Sequence, residues 1–264
     1  MAAAHRLCEV SQAFAARRAA FRALHAEGCF LLPNPWDVGS AKRLERQGFK
    51  AVASTSAGAA WALGKEDGQL SQDEAIEHLR ELCSATSLPV NADFENGFAD
   101  TPEGVFDSVT RAIGVGVAGL SIEDYSGHAL YELADAVARI KAARAAIDSS
   151  GADVLLVGRS EGFLRGQRDL SASISRLQAY SEAGADCLFA PGVTEPEDIT
   201  AIVRALAPKP VNVLLWGPQM TLQSLAALGV RRVSTGAALA AAAWAGFDTA
   251  VKLLQEEGRL PPRA

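Results

Sequence analysis

With 264 residues, 49% of them hydrophobic, and a formal net charge of −6, the chain can bury two ordinary cores or the single core of a (β/α)8 barrel, which takes about 250 residues. Its acidity is spread along the chain, with no basic cluster beyond short pairs such as Arg17-Arg18 and Arg231-Arg232, so nucleic acid is not an expected partner. No apolar run approaches the roughly 20 residues that cross a bilayer, and His5, Arg6 and Glu9 interrupt the N-terminal apolar residues. The expectation is no membrane partner, no signal peptide and a cytoplasmic location.

In chain order, a helical segment over Ser11 to Ala26 precedes eight short apolar runs that alternate with amphipathic stretches, the pattern of a parallel sheet covered by helices. The runs lie near Cys29 to Leu32, Ala51 to Thr55, Val90 to Asp93, Gly119 to Glu123, Val154 to Gly158, Cys187 to Phe189, Val211 to Leu215 and Arg232 to Ser234. Helical periodicity falls on Ser71 to Ala85, Thr101 to Val115, Leu133 to Ile147, Leu170 to Ala183 and Glu195 to Leu206, most with Ser, Thr, Asp or Pro at the start. Gly48, Gly184 and Gly229 each stand two or three residues before a run, where a left-handed cap ends a helix and the next strand begins. No Gly-x-Gly-x-x-Gly follows the first run and no linker divides the chain, so a single (β/α)8 TIM barrel over residues 1–264 is preferred to an open doubly wound sheet. The last segment, Gly236 to Glu257, is almost uncharged from Ala237 to Gly246 and needs a partner surface on more than one side, which implies an oligomer. The dispersed Cys8, Cys29, Cys83 and Cys187 read as buried reduced thiols rather than a zinc site.

Barrel enzymes work at the C-terminal ends of their strands. The third run ends Asp93-Phe94-Glu95, two carboxylates that an extended chain places on one side. The fourth ends Glu123-Asp124, and the fifth brings Arg159 to the same rim next to Glu161. Carboxylates from neighbouring strands suit a hard cation such as Mg2+; a guanidinium suits bidentate binding of a carboxylate, or a structural ion pair with Glu161 or Glu123.

The segment Asp93-Phe94-Glu95-Asn96-Gly97-Phe98 resembles the Asp-x-Asp-x-Gly-Tyr/Phe magnesium motif of the isocitrate lyase and phosphoenolpyruvate mutase superfamily, with Glu in place of the second Asp. Ser54-Thr55-Ser56-Ala57-Gly58, Leu63-Gly64-Lys65-Glu66-Asp67, Gly119 to Asp124, Gly158-Arg159-Ser160-Glu161 and Pro210-Val211-Asn212 are similar to further landmarks of that superfamily, in the same order. The resemblance implies that Asp93 ligates Mg2+, or Mn2+ as an alternative, directly, while Asp67, Glu95 and Glu123 reach it through waters. Ser56, Ala57 and Gly58, as a turn of backbone amides, would hold a small 2-oxo acid together with Arg159 and Asn212; Arg159, Glu123 and Asp93 would carry catalysis. It also implies a homotetramer, a dimer of dimers that exchange the last helix.

One region departs from the pattern. Where the isocitrate lyases carry a Cys-Gly-His gating loop, this chain reads Asp124-Tyr125-Ser126-Gly127-His128-Ala129-Leu130-Tyr131-Glu132, shorter and with a hydroxyl, a far weaker proton donor than a thiol, in place of the acid. That disfavours isocitrate lyase chemistry. The expectation is a Mg2+-dependent lyase or decarboxylase acting on a 2-oxo (di)carboxylic acid such as oxaloacetate or 2-oxoglutarate through an enolate. Carbon-phosphorus chemistry of the phosphonopyruvate hydrolase or mutase type ranks second, and a 2-oxo acid-binding protein without turnover third. His128 is either a loop acid or incidental, His25 and His78 are surface or packing residues, Trp36-Asp37 closes the pocket or caps the following helix, the cap being preferred for Asp37, and Trp216 lines the pocket or packs under the rim.

Overall fold

The computed structural model describes residues 2–262, with side chains from Ser11 onward. A first helix, α1 (Ala2–Leu24), leads into β1 (Phe30–Leu32), α2 (Val38–Arg46), β2 (Val52–Ala53), α3 (Ser56–Ala62), α4 (Gln72–Ala85), β3 (Val90–Asp93), α5 (Pro102–Gly114) and β4 (Gly119–Glu123). Then follow α6 (Leu133–Ser150), β5 (Leu155–Arg159), α7 (Leu170–Glu182), β6 (Cys187–Phe189), α8 (Pro196–Leu206), β7 (Val211–Leu214), α9 (Leu222–Ala227), β8 (Arg232–Ser234) and α10 (Ala238–Glu257).

All eight strands are parallel, in the order β1-β8-β7-β6-β5-β4-β3-β2. The seam between β1 and β2 is drawn together by the Ala53 amide, which donates to the Pro33 carbonyl at 3.0 Å. Asn34 reinforces it, donating to the Ser54 carbonyl at 2.7 Å and accepting from the Thr235 and Gly236 amides at 2.9 and 3.0 Å. The result is a (β/α)8 TIM barrel, as the alternation of apolar runs and amphipathic stretches requires. The three glycines expected to cap helices do adopt left-handed φ, 86° at Gly48, 108° at Gly184 and 87° at Gly229.

Helices begin where capping chemistry is available: Asp37 caps α2 in a capping box with Ser40, Ser71 caps α4 with Glu74, and Thr101 caps α5 ahead of Pro102. The first helix reaches further back than its periodicity indicates, to Ala2, and ends at Leu24. It closes the lower end of the barrel: Phe21 is fully buried, and Gly119 has no side chain because a Cβ there would meet the Phe21 ring at 2.7 Å. Arg18 fastens the helix by donating to the Val117 and Ile113 carbonyls at 3.0 and 2.8 Å.

Inside the barrel, Leu32, Ala53, Leu155, Val157, Cys187 and Phe189 form one apolar cluster; Leu120, Ile122, Ile140, Ile147 and Leu177 belong to a larger one between strands and helices. Burial of each such large side chain contributes about 1.5–3 kcal/mol. Cys83 and Cys187 are buried free thiols, Cys29 is half-buried, and the Cys8 side chain lies outside the described residues. Among the described residues no helix is long and apolar enough to cross a membrane. The last helix, by contrast, leaves Trp244, Phe247 and Leu254 exposed.

Candidate active site

β3 delivers Asp93 to the upper rim. Its amide donates to Ser54 Oγ at 2.8 Å, and its Oδ2 accepts from both the amide and the hydroxyl of Ser56 at 2.9 Å. Extended alternation is not what places Glu95 beside it. The strand ends at Asp93, and the chain turns through left-handed conformations at Glu95 (φ 43°), Gly97 (φ 89°) and Phe98 (φ 51°). Non-glycine residues held there store strain that surrounding contacts must offset. Arg139 does so: it is 2% exposed and donates to the carbonyls of Asn96, Ala99 and Asp100, while its guanidinium stacks 4.0 Å from the Tyr131 ring centroid. The Tyr131 hydroxyl in turn accepts from Asn96 Nδ2 at 3.0 Å.

Arg159 is the last residue of β5 rather than the first beyond it, and in register it faces Glu123 on β4. Its guanidinium reaches Asp93 at 3.0 Å, Glu123 at 3.4 Å and Glu161 at 2.5 Å. The structural ion pairing is therefore real, and it coexists with a place in the cavity wall. Glu161 is fully buried; its amide donates to Asp124 Oδ1 at 2.7 Å, and Asp124 is held from the other side by Tyr180 and Arg176.

Five carboxyls, those of Asp67, Asp93, Glu95, Glu123 and Glu161, thus surround Arg159 and Arg165. Burial, then Asp93 and Asp67, push Glu95 up to about 8. Glu123 is raised well above its ordinary value by burial, with Arg159 opposing and the neighbouring acids adding to it. Burial works against the charge on Arg159, yet Glu161, Glu123 and Asp93 hold its proton so firmly that the balance is upward. One Glu95 carboxylate oxygen, Oε1, is buried with no hydrogen-bond partner, a costly arrangement for a carboxylate. The donor set is all oxygen, negatively charged in excess and partly unsatisfied, and it fits a hard divalent cation. Among the described residues no three His, Cys, Asp or Glu side chains are arranged to ligate one ion directly.

Two cavities with shared lining residues open at this rim. The outer, about 500 Å3, is lined by Glu95, Glu123, Arg165 and the loop residues Tyr125 to His128. The deeper, about 290 Å3, descends inside the barrel past Asp93, Ser121 and Asn212 to Arg232, with Trp216 and Ala57 in its wall. Ser56, Asp67 and Arg159 line both. Gly58 lines neither. The stretch from Ser56 is not an open turn but the first turn of α3, capped by Thr55, and the Gly58 amide bonds to Thr55 Oγ1 at 3.3 Å. A Cβ on Gly58 would meet Thr55 Cγ2 at 2.7 Å and Trp36 Cβ at 2.8 Å, so this glycine serves packing. The Ser56 amide is likewise engaged with Asp93.

The loop from Asp124 to Glu132 is a tight turn closed on itself: the Ser126 amide donates to the Ala129 carbonyl at 2.9 Å, the Tyr131 amide donates to the Asp124 carbonyl at 2.8 Å, and Arg165 covers the Tyr125 ring at 3.8 Å. His128 sits exposed at the outer mouth, whereas His25, just past α1, is buried at the floor. Reasoning from strand ends does not reach Arg165, Arg139 or Arg232: the first two come from a loop and a helix, and Arg232 begins its strand.

Comparison with known proteins agrees with this geometry. A solved structure from Burkholderia cenocepacia, described there as a candidate lyase/mutase, superposes with a TM-score of 0.91 at 43% identity, covering 94% of this chain and 91% of that one. An uncharacterized protein of Mycobacterium tuberculosis is 33% identical over 91% of each chain. An oxaloacetate decarboxylase of Paraburkholderia xenovorans is 30% identical over 92% of this chain and 81% of its own. The sequence pattern of phosphoenolpyruvate phosphomutase matches residues 21–255, and the chain belongs to that enzyme family, within the isocitrate lyase and phosphoenolpyruvate mutase superfamily.

Proposed function

We propose that the protein is a Mg2+-dependent carbon-carbon lyase of the decarboxylase kind, acting on a small 2-oxo acid such as oxaloacetate or 2-oxoglutarate, with Mn2+ as an alternative ion. The observation that carries this reading is the excess of carboxyl groups over the two guanidiniums of Arg159 and Arg165, with Glu95 Oε1 buried and unpaired. Asp93 would hold the ion directly, and Asp67, Glu95 and Glu123 through waters. When bound, the ion supplies positive charge beside the oxygen that becomes an enolate as the bond to C3 breaks.

The chain's own residues do the rest. Arg159 commits Nε and Nη1 to the acids, and Nη2, which donates to none of the described residues, is the donor left for a substrate carboxylate. Ser56 fixes the Asp93 carboxylate from two directions. Ala57 and Asn212 line the deeper cavity, where they would contact the substrate. With oxaloacetate, the C3–C4 bond breaks and releases carbon dioxide, its electron pair forms the C2–C3 double bond of an enolate with the charge on the C2 oxygen, and a proton taken up at C3 gives pyruvate.

The closed Asp124 to Glu132 turn favours this reading over carbon-phosphorus chemistry. A turn tied by its own hydrogen bonds leaves the outer cavity open to water, which protonation of an enolate tolerates and a reactive phosphoryl intermediate does not. The test is a coupled assay of pyruvate formation from oxaloacetate, with and without chelator, for the wild type and Arg159→Ala. Chelator-sensitive activity absent from the variant supports the reading. Phosphate release from phosphonopyruvate supports the mutase or hydrolase alternative, and tight binding without product across such acids supports a binding protein.

We infer also that α10 packs against other copies in a homotetramer, because Trp244, Phe247 and Leu254 are 40%, 58% and 49% exposed on one helix. A monomer by light scattering would overturn this.

A further inference from the structure

Two guanidiniums share the deeper cavity, and their surroundings are opposite. Arg159 at the rim faces three carboxylates. Arg232, 2% exposed, has only neutral acceptors among the described residues: Asn212 Oδ1 at 2.9 Å from its Nε, and Asn91 Oδ1 and His25 Nε2, each at 3.4 Å from its Nη1. Its Nη2 donates to none of them. His25 cannot take the place of a carboxylate. Its Nδ1 lies 2.8 Å from the Phe21 carbonyl, which can only accept, so the ring's proton is on Nδ1 and Nε2 offers a lone pair. Burial and the nearby Arg232 keep that ring neutral.

A buried cation without a counter-charge is an expensive feature of a barrel interior, where an apolar residue would pack without loss. The neighbouring amide is aligned as well. Because Asn212 Oδ1 accepts from Arg232 and Asn212 Nδ2 donates to Ser234 Oγ at 2.9 Å, the second Nδ2 proton remains free in the cavity wall. Donors thus converge at the floor, and acids at the rim.

We propose that Arg232, with the free amide proton of Asn212, forms an anion subsite for the far carboxylate of the substrate, so that the enzyme selects 2-oxo dicarboxylates over 2-oxo monocarboxylates. The inference rests on the proposed function: the 2-oxo end sits at the rim among Asp93, Ser56 and Arg159, and the far end enters the 290 Å3 cavity toward the floor. The ligand carboxylate supplies the counter-charge that the fold omits. Charge-assisted hydrogen bonds of this kind are worth about 10- to 100-fold in affinity.

The experiment measures binding to the Mg2+-loaded protein by calorimetry for two pairs of acids in which a methyl replaces the far carboxylate: 2-oxoglutarate with 2-oxopentanoate, and 3,3-difluorooxaloacetate, an inhibitor of a related oxaloacetate acetylhydrolase used in place of oxaloacetate, with 3,3-difluoro-2-oxobutyrate. The expected result is a preference of about tenfold or more for the dicarboxylate of at least one pair in the wild type. Arg232→Met should erase it without weakening the monocarboxylate, and Arg232→Lys should restore part of it. Equal affinities within both pairs in the wild type overturn the subsite, whatever the variants do. So does a preference that survives in a folded Arg232→Met protein. Binding of none of the four acids overturns the reading of the whole site instead, and the subsite with it.

Discussion

Glu123 and Arg159 are register partners on adjacent parallel strands, and their side chains meet at 3.4 Å at the upper end of the barrel. Parallel pairing brings the two strand-terminal residues together, and the pair then sits where Asp93 also reaches the same guanidinium at 3.0 Å. Charge at the rim follows from the register as much as from composition.

The first prediction concerns that pair. Glu123 is crowded by Glu161, Asp93 and Glu95, and burial opposes its charge. Glu123→Gln would remove the proposed water-mediated metal contact, while Arg159 keeps two carboxylate partners, Asp93 and Glu161. Metal-dependent activity should fall about 10- to 100-fold, with the melting temperature unchanged or raised. A clear loss of stability with activity intact would make Glu123 a structural partner only.

Arg139 gives the second. Its guanidinium satisfies three carbonyls of the strained loop that carries Glu95, and no shorter side chain reaches all three. Arg139→Met should cost about 2–3 kcal/mol in urea denaturation, since buried carbonyls lose their donors. Mg2+ affinity should weaken with it, although Arg139 touches none of the acids. Unchanged Mg2+ binding would show that the loop holds its shape without the clamp.

Gly97 is the third. It combines φ 89° with a site where a Cβ would meet the two Val105 methyls at 3.0 and 3.1 Å. Gly97→Ala is therefore strained in backbone and in packing, and we expect a loss of about 1–3 kcal/mol. Measured against Val105→Ala alone, which itself empties a fully buried site, Gly97→Ala should cost only the backbone share. A cost undiminished in that background would assign the whole of it to the left-handed conformation.

Much of this architecture is legible in the amino-acid sequence, and the reasons differ from residue to residue. Asp93, Glu123 and Arg159 end apolar runs, and in a parallel barrel the ends of runs converge. Asp37 is recognisable as a cap because its chemistry is local. By contrast, α3 is seven residues, mostly Ala and Gly, too short to show a period, so its start resembles a turn. Glu95 reaches the site through a left-handed bend that alternation cannot foresee. Arg232 escapes a search of strand ends because it opens its strand, at the end of the barrel where chemistry is not sought; its own side-chain length brings the guanidinium into the cavity.

The buried histidine at the floor supplies the last prediction. His25 is lowered to about 3 by burial first and then by Arg232, with Arg22 and Arg231 adding to it and the Phe21 carbonyl opposing. In the unfolded chain the same ring titrates near 6.5. Between those values the unfolded state binds a proton that the folded state does not, so stability is full above pH 6.5 and is lost as pH falls toward 3. From pH 7.5 to pH 5 the contribution of this one group is on the order of 2 kcal/mol. His25→Gln removes the titration, and although it lowers stability at pH 7.5 by disturbing the bonds to Phe21 and Arg232, its stability should decline less steeply with acid. Urea midpoints for both proteins at the two pH values read the difference directly. Parallel declines would mean that His25 is protonated in the fold, and that Arg232 tolerates a second positive charge against it.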